Sequence, residues 1–383
     1  MMDAASEKAK LVLQELLTYS PGLYGGYYVD AMDSGIIHVN VPLNSKLILR
    51  TADNNVVYHT VNYTRDQLLS YKQAVSENLL GVNGVHLVAN KIIENNLEIG
   101  IEDDSPEIIT EIINVLNGLD IPRNAYSIVK RKRFSTLEKV LDNPIRIPKA
   151  STLSYDHRHT VMAGGWIGMG DSIDDIYDIT SISSVTCGLI YNNIPGFLTC
   201  GHYRTVNKYM FWASPQYSGG SYPADLTSYS PNWIVPLGRV RLVDYSKQSS
   251  GYVCDLSSVE REQDTTIMAG HLYSGDTLTS CGVQPYVNAT GYFTGCANRR
   301  VSCTVISDSA DVIDMRNNQM KDLFFVDKPG ISGTSGGPFY YKHVFNPNEF
   351  LVAGMACTTD YDSTTGFAKT DNALAKYNFI PGF

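Results

Sequence analysis

The chain has 383 residues, a net charge of −9, 43% hydrophobic and 18% charged residues, and 25 tyrosines. Glycine and proline together hold close to their usual share of about 12%, so neither a disordered chain nor a fibrous repeat fits. The acidic balance argues against a nucleic-acid partner, which needs a basic face, and no run of about 18 apolar residues is present to span a membrane.

At roughly 100 to 200 residues per domain, the length points to two or three domains. Apolar residues at helical spacing predict an amphipathic helix to about Leu17, in place of a signal peptide. Strands follow at Tyr24 to Val29 and Ile36 to Val41 around the turn Asp33-Ser34-Gly35, and at Val56 to Val61. A helix over Arg65 to Leu80 precedes strands at Val85 to Ala89 and Leu97 to Ile101. A second helix over Pro106 to Leu116 has Ser105 as N-cap and Pro106 at its first position, and a strand at Tyr126 to Val129 closes the series. These elements predict a small α+β domain over residues 1 to 130.

Residues 131 to 160 read as a linker or processing region. They hold part of the basic run Lys130-Arg131-Lys132-Arg133, two prolines at 144 and 148, and one short helix near Leu137 to Leu141. His157 and His159 form an HxH pair with no third ligand in view, so a surface loop is expected and no metal site. Beyond about residue 150 helical periodicity disappears, and short apolar runs bounded by Gly, Thr and Ser predict an all-β barrel or sandwich.

Seven cysteines, at 187, 200, 254, 281, 296, 303 and 357, all lie in the second half with no CxxC spacing. Disulfides and buried thiols both remain open, and the odd count leaves one unpaired in a monomer.

The chemistry concentrates at Gly333-Thr334-Ser335-Gly336-Gly337-Pro338. Glycines let a chain turn sharply and bring backbone N–H groups to a substrate carbonyl, so the amides of Gly333 and Ser335 are candidate oxyanion donors and Ser335 the candidate nucleophile. Ser332 is a second candidate but lacks the paired glycines. A serine hydroxyl needs a base to take its proton. His202 ends the apolar strand Gly196-Phe197-Leu198-Thr199-Cys200, where a glycine turn presents the imidazole. Asp255 interrupts the apolar run Tyr252-Val253-Cys254 and is the candidate carboxylate to orient that ring, with Asp244 and Asp225 as runners-up. Only His343 follows Ser335, eight residues on and with no acid between, which excludes the α/β-hydrolase order. The order His202, Asp255, Ser335 is that of the chymotrypsin-like double β-barrel.

On these motifs the region from 161 to 383 resembles the trypsin-like serine peptidases, in particular the branch of α-lytic protease and the streptogrisins. The resemblance runs through Val161-Met162-Ala163-Gly164-Gly165, Cys187-Gly188-Leu189-Ile190, Gly201-His202, Thr290-Gly291-Tyr292-Phe293-Thr294-Gly295 and the tail Thr364-Thr365-Gly366-Phe367. Residues 1 to 130 are similar, more faintly, to that branch's pro-domain. The resemblance implies a secreted serine endopeptidase acting on protein or peptide substrates without a cofactor. It would be made as a zymogen whose own pro-domain, in cis, assists folding and blocks the cleft until cut between about Lys130 and Gly164. The substrate pocket would be lined by Gly330 to Ser332 and by Cys357 to Thr359. No acid lies at its expected base, which disfavours Lys or Arg and leaves small, aromatic and acidic side chains open.

Three departures stand out. Cys200 precedes the histidine where the family has a cysteine after it, which leaves a Cys187–Cys200 bridge open. Thr334 replaces the usual Asp before the serine. Cys254 and Cys357 flank the candidate acid and the substrate strand. These motivate a rival reading, a catalytically inactive barrel serving as a binding module.

Overall fold

The structure is a computed structural model, and it describes residues 23–30, 36–43, 56–137, 139–148, 159–173, 176–202, 207–213, 234–244, 256–261, 265–272, 277–295, 300–342 and 349–381. The predicted opening helix lies outside these residues, as do His157 and the side chain of His159. The chain divides into two compact units. The first comprises Met1–Ser135, Pro285–Thr290 and Thr304–Asp327; the second comprises Thr136–Gln284, Gly291–Cys303 and Lys328–Phe383.

In the first unit, strands β1 (Gly26–Asp30), β2 (Ile36–Pro42) and β3 (Val56–Val61) form a small sheet, with β1 antiparallel and β3 parallel to β2. Helix α1 (Arg65–Leu79) starts with a capping box. The Thr64 hydroxyl accepts from Gln67 N at 3.0 Å, and Thr64 N donates to the Gln67 side chain at 2.8 Å, so two end amides are satisfied reciprocally. Helix α2 (Pro106–Gly118) begins as expected at Ser105-Pro106, but the Ser105 side chain makes no capping bond. Proline at the first position has no N–H to satisfy, which removes part of the need for one.

Leu68, Val75 and Leu79 of α1 and Ile112 and Leu116 of α2 pack on strands β4 (Val85–Lys91), β5 (Asn96–Ile101) and β6 (Tyr126–Lys130) through Val85, Val88, Leu97, Ile99 and Tyr126. Burying each such side chain contributes roughly 1.5 to 3 kcal/mol. The sheet continues past β4 into residues of a much later strand, with Ala310, Asp311 and Val312 opposite Ala89, Val88 and Leu87. The strand Gln319–Val326 then pairs antiparallel with that segment. Side chains reinforce the join: Lys72 Nζ lies 2.6 Å from Asp311 Oδ1, Arg65 2.9 Å from Asp308, and Asn90 Nδ2 donates to Asp308 at 3.1 Å.

The second unit is mostly sheet, as the all-β expectation has it. A nine-stranded antiparallel sheet runs in the order Ile380–Pro381, Cys187–Tyr191, Ile194–Cys200, Leu256–Arg261, Ile234–Asp244, Tyr209–Ala213, Trp166–Ile173, Ile176–Ser184 and Lys139–Pro148. Ile167, Val185, Phe197, Met210 and Val240 form its core. Further strands, Thr277–Cys281, Pro338–Lys342, Glu349–Thr359 and Thr365–Lys369, and helix α3 (Thr370–Tyr377) complete the unit.

Two expectations are corrected here. Where a helix is expected near Leu137 to Leu141, within a linker, residues 139–141 instead begin the strand Lys139–Pro148, paired with Ile176–Ser184. Pro144 and Pro148 bar a continuing helix, and Ile145 and Ile147 alternate with Arg146 and Pro148 at the period of a strand. The Cys187–Cys200 bridge is absent. Cys187 lies across the ladder from Leu198, and its sulfur is 3.3 Å from that of Cys281, both as free thiols. The hydrogen bond with Cys281, together with burial, holds the Cys187 thiol well above its usual pKa. Cys254 and Cys296 lie outside the described residues.

Candidate active site

His202 follows the strand Ile194–Cys200, whose residues Phe197, Leu198 and Cys200 are buried and fix where the chain emerges from the sheet. Ser335 lies in a turn in which Gly333 and Gly336 take φ of +99° and +80°, conformations that side chains other than glycine rarely adopt. A Cβ at Gly336 would collide with the Ser184 carbonyl and the Thr199 hydroxyl. The fold brings together two residues 133 positions apart: Ser335 Oγ and His202 Nε2 share a hydrogen bond, and both residues are 0% exposed. That is the contact through which an imidazole removes a serine's proton.

Asp255 and Asp225 lie outside the described residues, as does the side chain of Asp244. The strand Leu256–Arg261 begins at the residue after Asp255, and Leu256 is the register partner of Cys200, two positions before His202. Asp244 ends its strand opposite the same Leu256.

Thr334 is buried and takes its place by backbone bonding: its N–H donates to Ile331 O, and its carbonyl accepts from Gly337 N. The loop is held mainly by residues that sequence reading did not single out. The Ser184 hydroxyl donates to Gly333 O at 3.0 Å, its amide donates to Ser335 O at 2.7 Å, and the Thr186 hydroxyl donates to Gly336 O at 2.6 Å. Gly336 N donates to Ala356 O and Ala356 N to Gly337 O, each at 2.8 Å. Ser181, Ser183, Ser184 and Thr186 are all buried. A polar run entering a core needs partners, and that was the available signal.

Of the expected pocket residues, Gly330 and Cys357 both meet Leu137. A Cβ on Gly330 would lie 2.8 Å from Cδ2 of Leu137, a fully buried side chain. Gly333 N donates to Leu137 O at 2.5 Å, and Leu137 N donates to Cys357 O at 3.1 Å. Of the two expected oxyanion donors, Gly333 makes this bond, and the Ser335 amide is not among that oxygen's donors. Cys357 thus offers its carbonyl, while its sulfur accepts from Ala368 N at 3.0 Å within the sheet. The Thr359 hydroxyl is committed to Thr364 O and Tyr361 N, and Ser332 is exposed whereas Ser335 is buried.

The turn beyond Thr359 is ordered by Asp360. Burial would raise its pKa, but the amides and hydroxyls of Ser363 and Thr364 outweigh that and hold it below the usual carboxylate value. Tyr361 from this turn donates its hydroxyl to Thr136 O at 3.2 Å. Among the described residues no group of three His, Cys, Asp or Glu side chains could hold a metal ion, and no helix is long and apolar enough to cross a membrane.

No protein-family model matches the chain, and no curated protein matches its sequence. Solved structures similar to it include several serine proteases and an inactivated protease paralogue of the scabies mite, the last at 14% identity and TM-score 0.35 over 56% of this chain and 92% of that one. Among the serine proteases is the Nocardiopsis protease, at 14% identity and TM-score 0.41 over 58% of this chain and 100% of that one. A glutamic acid-specific serine protease aligns at 17% identity and TM-score 0.41, again over 58% of this chain and 100% of that one. Thermobifida fusca protease A aligns at 15% identity and TM-score 0.39 with the same coverage. At these levels the functional reading rests on the site's own geometry.

Proposed function

We propose that the protein is a serine endopeptidase with Ser335 as nucleophile, His202 as general base and then acid, and Asp255 as the group that orients His202. The observation that carries this reading is the hydrogen bond between Ser335 Oγ and His202 Nε2. In the reaction Ser335 attacks the scissile carbonyl while its proton passes to His202. The developing oxyanion is received by the amides of Gly333 and Ser335, each donor being worth roughly 3 to 4 kcal/mol. His202 returns the proton to the leaving amine, and water hydrolyses the acyl-enzyme. The chemistry calls for no metal or organic cofactor.

On this reading residues 1 to 130 act as a pro-domain in cis, and the peptidase is exported as a zymogen. The mixed make-up of the first unit supports it, since Lys72 and Arg65 are bonded to Asp311 and Asp308 of the later segment. The test is labelling by an active-site-directed fluorophosphonate, before and after limited trypsin treatment at Lys130 to Arg133. Labelling retained in Ser332→Ala and lost in Ser335→Ala is expected. A chain that stays unlabelled after trypsin would support the inactive binding module instead.

A further inference from the structure

We propose that the first bond this peptidase cuts is its own Leu137–Glu138 bond, and that its primary pocket accepts an aliphatic side chain of leucine size. The inference rests on the peptidase reading above and specifies its substrate.

Three contacts carry it, each made by a different part of Leu137. Its amide donates to Cys357 O at 3.1 Å, aligning it along the edge of Glu349–Thr359 as an added strand would lie. Its carbonyl accepts from Gly333 N at 2.5 Å, and Gly333 lies two residues before the nucleophile. Its side chain is 0% exposed and lies against Gly330, where any larger residue would intrude. A segment lodged by chance would satisfy one of these conditions; a substrate residue must satisfy all three. A donor aimed at the carbonyl oxygen is the group that stabilises charge as the tetrahedral intermediate forms.

The flanking chain fits on both sides. Thr136 O accepts from Tyr361 at 3.2 Å ahead of the bond. Beyond it, Lys139 is the register partner of Ile182, two residues from the Ser184 that holds the Ser335 loop. Ser335 and His202 are 0% exposed in this arrangement, so an outside substrate reaches them only when the segment moves aside.

The step balances as an ordinary hydrolysis. Ser335 Oγ bonds to the Leu137 carbonyl carbon, the carbon–nitrogen bond to Glu138 breaks, and the amine leaves with the proton carried by His202. Water then splits the ester, giving a Leu137 carboxylate and a new N-terminus at Glu138.

The test expresses the full chain as wild type, Ser335→Ala, Leu137→Met and Leu137→Ala, and follows intact mass and new N-termini. Fluorophosphonate labelling is run in parallel, before and after trypsin treatment at Lys130 to Arg133. A fragment starting at Glu138 is expected in wild type and Leu137→Met, absent in Ser335→Ala, and formed at least about tenfold more slowly in Leu137→Ala. A Ser335-dependent fragment starting elsewhere overturns the assignment and leaves the peptidase standing. So does a chain that stays whole yet labels after trypsin. Loss of both cleavage and labelling overturns the peptidase reading itself.

Discussion

The hydroxyl of Ser184 donates to the carbonyl of Gly333 at 3.0 Å, tying the turn that carries Ser335 to a strand about 150 residues earlier. Thr334 cannot form the ion pair that an aspartate would make behind this turn, so neutral hydrogen bonds orient the Gly333 amide. Ser184→Ala removes the hydroxyl bond but keeps the amide bond to Ser335 O. One net hydrogen bond of about 1 kcal/mol predicts a five- to tenfold fall in kcat with KM little changed, measured by steady-state hydrolysis of a leucyl peptide.

A Cβ at Gly330 would stand 2.8 Å from Leu137 Cδ2, so on the proposed reading Gly330 sets the depth of the substrate pocket. Gly330→Val fills the space a leucine side chain takes. The ratio of kcat/KM for leucine over alanine at the cleaved position should fall about tenfold or more. A ratio unchanged in this variant would show that the leucine side chain sits elsewhere.

Lys72 and Asp311 are paired at 2.6 Å with side-chain exposures of 9% and 7%, and Asp311 also accepts from Asp322 N at 2.9 Å. Lys72→Met leaves a buried carboxylate without its counter-charge, which costs about 3 kcal/mol or more. Chemical unfolding in a Ser335→Ala background, which keeps the chain whole, should show the loss. The double variant Lys72→Met/Asp311→Leu should recover most of it.

His86 makes the first unit acid-sensitive. Burial lowers its pKa below the ordinary 6.5, and the hydrogen bond to Arg131 O offsets part of that shift. Below pH 6.5 the unfolded chain therefore binds a proton that the folded chain resists, so stability is lost as the pH falls from 6.5 through the lower folded value. His59 shifts in the same direction, burial first and the neighbouring His38 second. Unfolding midpoints at about pH 7.5 and about pH 5 should differ, and His86→Gln should narrow the gap.

Much of the first unit could be read locally. Strand β3 falls on Val56–Val61 as expected, and α1 ends within one residue of its predicted limit, because apolar spacing and end signals are properties of neighbouring residues. The strand at Lys139–Pro148 was misread for the same reason. Its pairing with Ile176–Ser184 supplies the order, and nothing nearby in sequence announces that partner.

The sequence by itself singled out Ser335 and His202: a serine among glycines and a histidine ending an apolar strand are local patterns with local physical causes. Only the tertiary structure decided what those residues meet. That Ser335 faces His202, that Cys187 faces Cys281 and that Leu137 lies against Gly330 between Gly333 and Cys357 depend on atoms from distant strands sharing one space. Pairing of that kind is set by packing and backbone hydrogen bonding across the sheet, and it leaves no periodic trace along the chain.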